Sequence, residues 1–185
     1  MNIKKTAYLL INFTLNRLAE IFGIIITFAG ISLFISLFSY SPDDPNFIFP
    51  QNTEIKNILG FHGSFVSDLF FQSIGLITYL ISFTLMATGY NILRTKDFFL
   101  IIENIFYATL YIIFGSLFFS HYYSDAFTLY INGNGGFIGN YLNNFLTNDF
   151  IKNYENFFYY FVVVLISILF LISINFNIKN FSLSI

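Results

Sequence analysis

The 185-residue chain is 56% hydrophobic and only 10% charged, and its mean hydropathy is +0.71. Soluble domains carry about a quarter charged residues, and 8 basic plus 10 acidic side chains are too few to cover a soluble core. The composition therefore excludes an ordinary soluble domain. A net charge of −2 provides no basic field for nucleic acid, and the absence of cysteine excludes disulfides and thiolate metal sites.

Four uncharged stretches of 21 to 25 residues, each with a continuous apolar run, follow one another along the chain. About 20 apolar residues are enough to cross a bilayer as a helix. The stretches predict spans at about 21–39, 69–90, 101–119 and 157–175. The predicted fold is thus an all-α, four-transmembrane-helix bundle over residues 21–176, with tails at 1–20 and 177–185. A β-barrel is disfavoured because its strands would alternate in polarity.

The basic residues predict how the bundle is oriented in the membrane. Four spans place both termini on one side, and six of the eight basic residues lie on that side. They are Lys4, Lys5, Arg17, Arg94, Lys96 and Lys179, whereas Lys56 and Lys152 lie opposite. The positive-inside rule therefore predicts cytoplasmic termini and two longer periplasmic loops, at about 39–67 and 120–156. A cleaved signal peptide is disfavoured because Arg17 and Glu20 interrupt the segment before the first apolar run.

The first periplasmic loop opens with two prolines that bracket two aspartates. Pro42 and Pro45 predict a sharp turn that ends the first span. We expect Asp43 and Asp44 to form the solvated polar tip of this turn. The alternative, a cation-binding or catalytic carboxylate pair, is disfavoured because adjacent side chains in a turn rarely converge and no third ligand lies nearby in sequence.

Glycines recur through the rest of both loops. Gly60 and Gly63 allow a turn ahead of the second span, where Phe61 and Phe65 could lie in the membrane interface. Inside that span, Gly75 and the tyrosine four residues later share a face on which a neighbouring helix can approach closely.

The second loop contains the segment GNGGFIGNYL. It lacks the lysine of a Walker phosphate-binding loop, and no strand precedes it. We therefore expect a re-entrant or interfacial element that packs Phe137, Ile138 and Leu142 against the bundle.

Few side chains suggest chemistry. Glu103 is the one candidate for an intramembrane charge, and snorkelling from near the cytoplasmic end of the third span explains it. His62 and His121 have no partners at ligand spacing. The sequence therefore predicts no catalytic, cofactor or metal site. A small polytopic transporter or channel subunit is the alternative function, since it would use Glu103.

The loop motifs resemble those of a known family. Their order and placement are similar to the N-terminal four-helix membrane domain of the FtsK/SpoIIIE bacterial cell-division DNA translocases. The resemblance covers about residues 21–174. The matching positions in the first loop are Ser39, Tyr40, Pro42, Asp44, Pro45, Asn57, Gly60, Gly63, Ser64, Phe65, Ser67 and Asp68. Gly75 and Tyr79 match in the second span, and Gly135, Gly136, Ile138, Gly139 and Leu142 match in the second loop.

The resemblance implies a membrane anchor that localises a DNA translocase to the division septum of the bacterial inner membrane. It implies contacts with the bilayer and with other division membrane proteins, and it leaves self-association open. Family members continue through a linker into an ATPase motor and a DNA-reading domain. No Walker motif or basic DNA-binding helix occurs here, so ATP and DNA are expected to be handled only by that motor, and this segment is expected to be non-catalytic.

Overall fold

The computed structural model describes residues 3–45, 54–124, 132–146 and 154–176, with side chains from Tyr8 onward. These residues form helices and connecting turns, with no strand among them. The helices are α1 Ile3–Phe38, α2 Gly60–Ile74, α3 Thr78–Thr95, α4 Leu100–Tyr122, α5 Gly136–Leu146 and α6 Glu155–Ser173, and one 3₁₀ turn, Gly75–Ile77, separates α2 from α3. The predicted tail 177–185 lies outside the described residues.

Four segments of the described chain are long and apolar enough to cross a membrane: Tyr8–Phe38, Gly60–Thr95, Leu100–Tyr122 and Glu155–Ser173. The predicted all-α bundle of four spans is confirmed. Two helices begin well before the predicted spans do, whereas the other two begin within two residues of the prediction. α1 starts at Ile3, inside the predicted tail, and α2 starts at Gly60. The second span is a broken helix because the 3₁₀ turn Gly75–Ile77 interrupts it.

α1 packs along α3, and α4 packs against α6 and α5. Glycines allow the first pair to come close, since a Cβ at Gly89 would overlap the carbonyl oxygen of Gly23 and the backbone of Thr27. A Cβ at Gly30 would likewise meet the backbone of Met86 at 2.8 Å. In lipid the hydrophobic effect does not drive helices together, so helices associate through close van der Waals packing. Small residues at the crossing allow that close approach.

Hydrogen bonds between side chains join α4 and α6 to α3. Thr84 Oγ1 lies 3.0 Å from the Tyr111 hydroxyl and 3.1 Å from Ser173 Oγ, which links α3, α4 and α6. Asn104 Nδ2 donates to Thr88 Oγ1 at 2.7 Å, and Asn175 Nδ2 donates to Asn104 Oδ1 at 2.9 Å. Because polar groups in a dry interior need partners, these bonds fix how the helices pack.

Candidate functional site

The loop motifs meet at one end of the bundle, which we call the loop junction. It consists of the end of α1 with the turn to Pro45, residues 54–74, the break at Gly75–Ile77, and the segment 132–139. The opposite end, which we call the ion-pair end, carries Arg17, Glu20 and Lys96. The two ends have different chemistry, and the loop junction contains every motif residue matched above except Tyr79 and Leu142.

Asp44 is the anchor of the first loop. Its side chain is 1% exposed, and its two carboxylate oxygens accept hydrogen bonds from the backbone N–H groups of Lys56 at 2.8 Å and Asn57 at 2.9 Å. Asp43 instead lies exposed and pairs with the Lys56 ammonium at 3.2 Å. The expectation of a solvated tip holds for Asp43 and is wrong for Asp44, because the returning chain supplies donors that replace water.

Asn57 closes the end of α1. Its Nδ2 donates to the carbonyl oxygen of Ser36 at 2.8 Å, and its Oδ1 accepts the Leu59 N–H at 3.1 Å. The hydroxyl of Ser36 in turn donates to the Gly63 carbonyl at 2.5 Å. The last carbonyls of a helix lack partners within it, so one asparagine both caps α1 and positions the start of α2.

Several smaller contacts complete this part of the junction. Ser39 Oγ accepts the N–H of Ile58 at 3.1 Å, and Ser64 Oγ donates to the carbonyl of Pro45 at 2.9 Å. Gly60 begins α2 with φ of +64°, a conformation that glycine adopts without steric cost. Pro42 lies half-buried in the turn.

A tyrosine–aspartate pair lies beneath the turn. The Tyr40 hydroxyl donates to Asp68 Oδ1 at 3.2 Å, and Asp68 is only 7% exposed, two turns into α2. Burial, with a further contribution from the negative charge of Asp68, raises the pKa of Tyr40. The ring of Phe71 packs between Tyr40 and Tyr79, with centroid distances of 4.8 and 5.7 Å. The Tyr79 hydroxyl donates to the Leu37 carbonyl at 3.2 Å.

The break between α2 and α3 is filled by the second loop. Gly75 has φ of +72°, and the freed N–H of Leu76 donates to the carbonyl oxygen of Asn134 at 2.9 Å. Ser116 Oγ on α4 donates to the carbonyl of Ile74 at 2.8 Å. Non-helical backbone at membrane depth is tolerated where protein groups satisfy it, and here the second loop and α4 do so.

Glycines bring the second loop this close. A Cβ on Gly136 would meet the backbone nitrogen of Gly75 at 2.5 Å, and Gly135 and Gly139 each contact the backbone of Ser116 too closely for any side chain. α5 follows and packs on α4 and α2, with Ile138 against the main core. The expected packing of Phe137 is wrong, because its ring is 63% exposed on the outer face of α5.

The sequence did not single out Ser36, Gln72, Ser116 or Asn134. Gln72 accepts the Asn132 N–H at 3.2 Å, so it ties α2 to the second loop. The Nδ2 of Asn134 donates to the Tyr123 carbonyl, and its buried Oδ1 has no protein partner within the described ranges. Single polar residues within apolar stretches carry no periodic signal that could have identified them.

The ion-pair end is simpler. Glu20 accepts Arg17 at 2.5 Å and Lys96 at 2.9 Å, and Lys96 adopts a left-handed conformation that ends α3. Glu103 lies exposed in the first turn of α4. The part of the chain that the structure describes contains no group of three or more His, Asp or Glu side chains that could hold a metal. His121 Nδ1 is 2.9 Å from Asn143 Oδ1, and His62 is exposed.

Four apolar segments, the second of them broken at Gly75–Ile77 and hydrogen-bonded there to the second loop, define a polytopic membrane domain with a hydrogen-bonded polar junction at one end. The family described as the 4TM region of DNA translocase FtsK/SpoIIIE matches residues 16–183, so the chain belongs to that family. The resemblance drawn from the loop motifs is confirmed.

A curated relative supports the same assignment. The DNA translocase FtsK of Azospirillum brasilense is 30% identical over 87 residues, which are 46% of this chain and 14% of that protein. The chain therefore matches only a small part of its relative's length. No solved structure matches it.

Proposed function

We propose that this chain is the membrane anchor and septal interaction module of a DNA translocase that acts in cell division and chromosome segregation. The observation that carries the proposal is the match of residues 16–183 to the membrane region of DNA translocases. The relative from Azospirillum brasilense, a named DNA translocase, supports it. An anchor needs stable spans and a defined surface on each side of the membrane, and the four helices and two distinct ends are suited to that task.

The proposed location is the bacterial inner membrane, with the ion-pair end in the cytoplasm. The excess of basic residues at this end, which includes Arg17, Arg94 and Lys96, supports that orientation. The count of basic residues on the two sides also includes Lys152 and Lys179, which lie outside the described residues. The loop junction then faces the periplasm, and the motor that the family implies lies on the side of the ion-pair end, where DNA is found.

The loop junction is the proposed contact surface for other division membrane proteins. Its interior hydrogen bonds hold it rigid, which lowers the entropy lost on binding. The outer surface of the loop junction has a small apolar rim beside the polar turn. In this rim Ile58 is 70% exposed and Leu59 is 40% exposed. Exposed apolar groups rimmed by polar ones are typical of protein contacts.

We assign no catalytic role to this segment. The loop-junction aspartates are engaged in structural bonds, since Asp44 holds the backbone of the returning chain and Asp68 accepts from Tyr40. ATP hydrolysis and DNA movement belong to the motor of the family, so nucleic acid is reached only through that motor.

The localisation of the chain in dividing cells tests this function. A fluorescent fusion of the full chain should form a band at midcell, and Ile58→Asp should weaken the band while leaving the amount of membrane-bound protein unchanged. Glu54→Ala, at an exposed position of the same loop, is the matched control and should keep the band. An Ile58→Asp band as strong as that of the control would remove the proposed surface.

The transporter alternative makes a separate prediction. It needs a charge at membrane depth, whereas Glu103 lies exposed at the start of α4. We expect purified chain in liposomes to give no ion or solute flux above protein-free liposomes. Flux that Glu103→Gln abolishes would favour transport over anchoring.

A further inference from the structure

α2 lies across the end of the bundle and does not continue α3. In its first turn the carbonyl of Gly63 accepts the hydroxyl of Ser36 on α1, and the carbonyl of its last residue, Ile74, accepts the hydroxyl of Ser116 on α4. Each of these serines lies about 24 Å along its helix from the ion-pair end. α2 therefore runs from α1 to α4 at one level. α3 alone is about 27 Å long, which nearly matches a hydrocarbon core of about 30 Å.

A cavity of about 400 Å³ lies beneath α2, in the angle that this helix makes with α1 and α3. Its outer rim includes Leu59 and His62, its roof includes Val66 on α2, and its walls reach Leu85 on α3 and Ala29 on α1. The volume falls within the range of about 300–1,000 Å³ that is typical of ligand pockets. Ala29 is exposed within the first of the four apolar segments, so the cavity opens at its side toward lipid.

Close contacts on both sides hold the walls of the cavity apart. Toward the ion-pair end, Gly30 brings α1 so near to Met86 of α3 that a Cβ would not fit between them. Toward the loop junction, the Ser36 hydroxyl bonds to Gly63, and Asn57 Nδ2 donates to the Ser36 carbonyl. These contacts fix α1 relative to α2 and α3, so the space between the three helices is part of the fold.

Hydrocarbon is the occupant that this cavity fits. Its side-chain lining is apolar apart from Ser32, Ser36 and His62, and the Ser36 hydroxyl is already bonded to the protein. A buried water needs about 2–4 polar partners, which this lining does not supply, and an empty space would leave the lining without van der Waals contacts. From the level of Ser36 to that of Ala29 the cavity extends about 10 Å along α1. Lipid tails are the hydrocarbon found at this depth.

The rim offers no unpaired lysine or arginine to a lipid headgroup. Among the described residues 39–45 and 54–67, Lys56 is the one lysine or arginine, and it pairs with Asp43 at 3.2 Å. Glu54, two residues earlier, lies exposed. An anionic headgroup therefore gains little at this rim, so recognition depends on the acyl chain.

We propose that the cavity beneath α2 binds one acyl chain of a phospholipid from the leaflet next to the loop junction, with the headgroup at the rim formed by Leu59 and His62. The bound chain fills the angle between the three helices and so supports α2, on which the loop junction is built. Ile58, the most exposed residue of the contact surface proposed above, does not line the cavity, and the lipid site does not depend on the septal role.

Native mass spectrometry of the full chain tests the site. The unaltered chain, extracted into detergent from liposomes of phosphatidylethanolamine and phosphatidylglycerol, should retain one phospholipid. Ala29→Trp and Val66→Phe fill the cavity and should lose the retained lipid. Phe28→Trp is the matched control, since Phe28 is 69% exposed and does not line the cavity, and it should keep the lipid. Because the chain is recognised, the two phospholipids should be retained in proportion to their shares in the liposomes.

A second measurement uses the unaltered chain alone, so it does not depend on how the variants fold. A phospholipid with a diazirine midway along its acyl chain is photolysed in liposomes that contain the chain, and the labelled residues are mapped. Leu33 lines the cavity and is only 6% exposed, so it should be labelled, whereas Leu37, which is buried outside the cavity, should not.

Three outcomes would each overturn the proposal. They are an unaltered chain that retains no phospholipid, equal retention by the filled variants and the control, and labelling that is absent from Leu33. Retention of phosphatidylglycerol alone would contradict recognition through the acyl chain and would point to a headgroup site instead.

Discussion

Asp44 and its neighbour Asp43 provide a matched pair of substitutions for testing the loop junction. Asp44→Ala removes the acceptor of two backbone N–H groups, those of Lys56 and Asn57. Asp43→Ala removes one exposed ion pair with Lys56. The two variants lose the same chemical group one residue apart, so a difference between them reports on burial and hydrogen bonding.

The structure sets the size of the difference. A buried donor left without an acceptor costs about 1–3 kcal/mol. The Asn57 N–H is buried, whereas the Lys56 N–H is only part-buried and costs less. Together they should lower the free energy of unfolding of Asp44→Ala by about 3 kcal/mol. An exposed ion pair contributes about 0–1 kcal/mol. For a chain of this size, about 1 kcal/mol shifts the Tm by about 2–4 °C, which gives a fall of about 6–12 °C for Asp44→Ala.

Thermal unfolding of the full chain in nanodiscs measures these shifts. Asp43→Ala should stay within about 4 °C of the unaltered chain. Amide hydrogen exchange adds a local readout, since the Lys56 and Asn57 amides should lose protection in Asp44→Ala alone. Equal Tm values for the two variants, with both amides still protected, would refute the assignment of Asp44 as the anchor of the first loop.

Three further outcomes follow from the packing and can be measured by the same unfolding assay. Gly75→Ala should destabilise more than Gly60→Ala, because both positions have positive φ but only Gly75 also abuts a neighbouring backbone; equal losses would contradict the close fit of the break. The unaltered chain should lose more stability than Tyr40→Phe as pH rises above about 10, because a raised pKa means that the folded state holds the Tyr40 proton more tightly than the unfolded state; parallel pH curves would contradict this. Asn104→Ala should cost about 1–3 kcal/mol, since it leaves Thr88 without its partner, and an unchanged Tm would argue against the polar link between α3 and α4.

The spans could be predicted from sequence because bilayer thickness imposes a length on any uncharged apolar run. The start of α1 could not, because Arg17 and Glu20 suggested a tail boundary. Neither residue stops a helix, and no proline or glycine occurs before Gly23, so the helix continues back to Ile3. Charge marks where lipid ends, whereas helix ends depend on backbone signals.

The loop junction was predictable in its residues and not in its geometry. Asp44 looks solvent-exposed from its proline-rich turn, and its burial depends on donors 12 and 13 residues further along the chain. The break at Gly75 depends on Asn134, which lies in another loop. Such contacts follow from how helices pack, and a local pattern cannot specify them.

The most direct test of the proposed membrane-anchor function is to determine on which side of the membrane each end of the bundle lies. Single cysteines are placed at two exposed positions of the cysteine-free chain, Glu54→Cys at the loop junction and Asp97→Cys at the ion-pair end, and intact spheroplasts are treated with a membrane-impermeant maleimide. The anchor of a cytoplasmic DNA motor requires that Glu54→Cys be labelled from outside and that Asp97→Cys be labelled only after lysis. Labelling of Asp97→Cys in intact spheroplasts would place the ion-pair end in the periplasm and contradict the account.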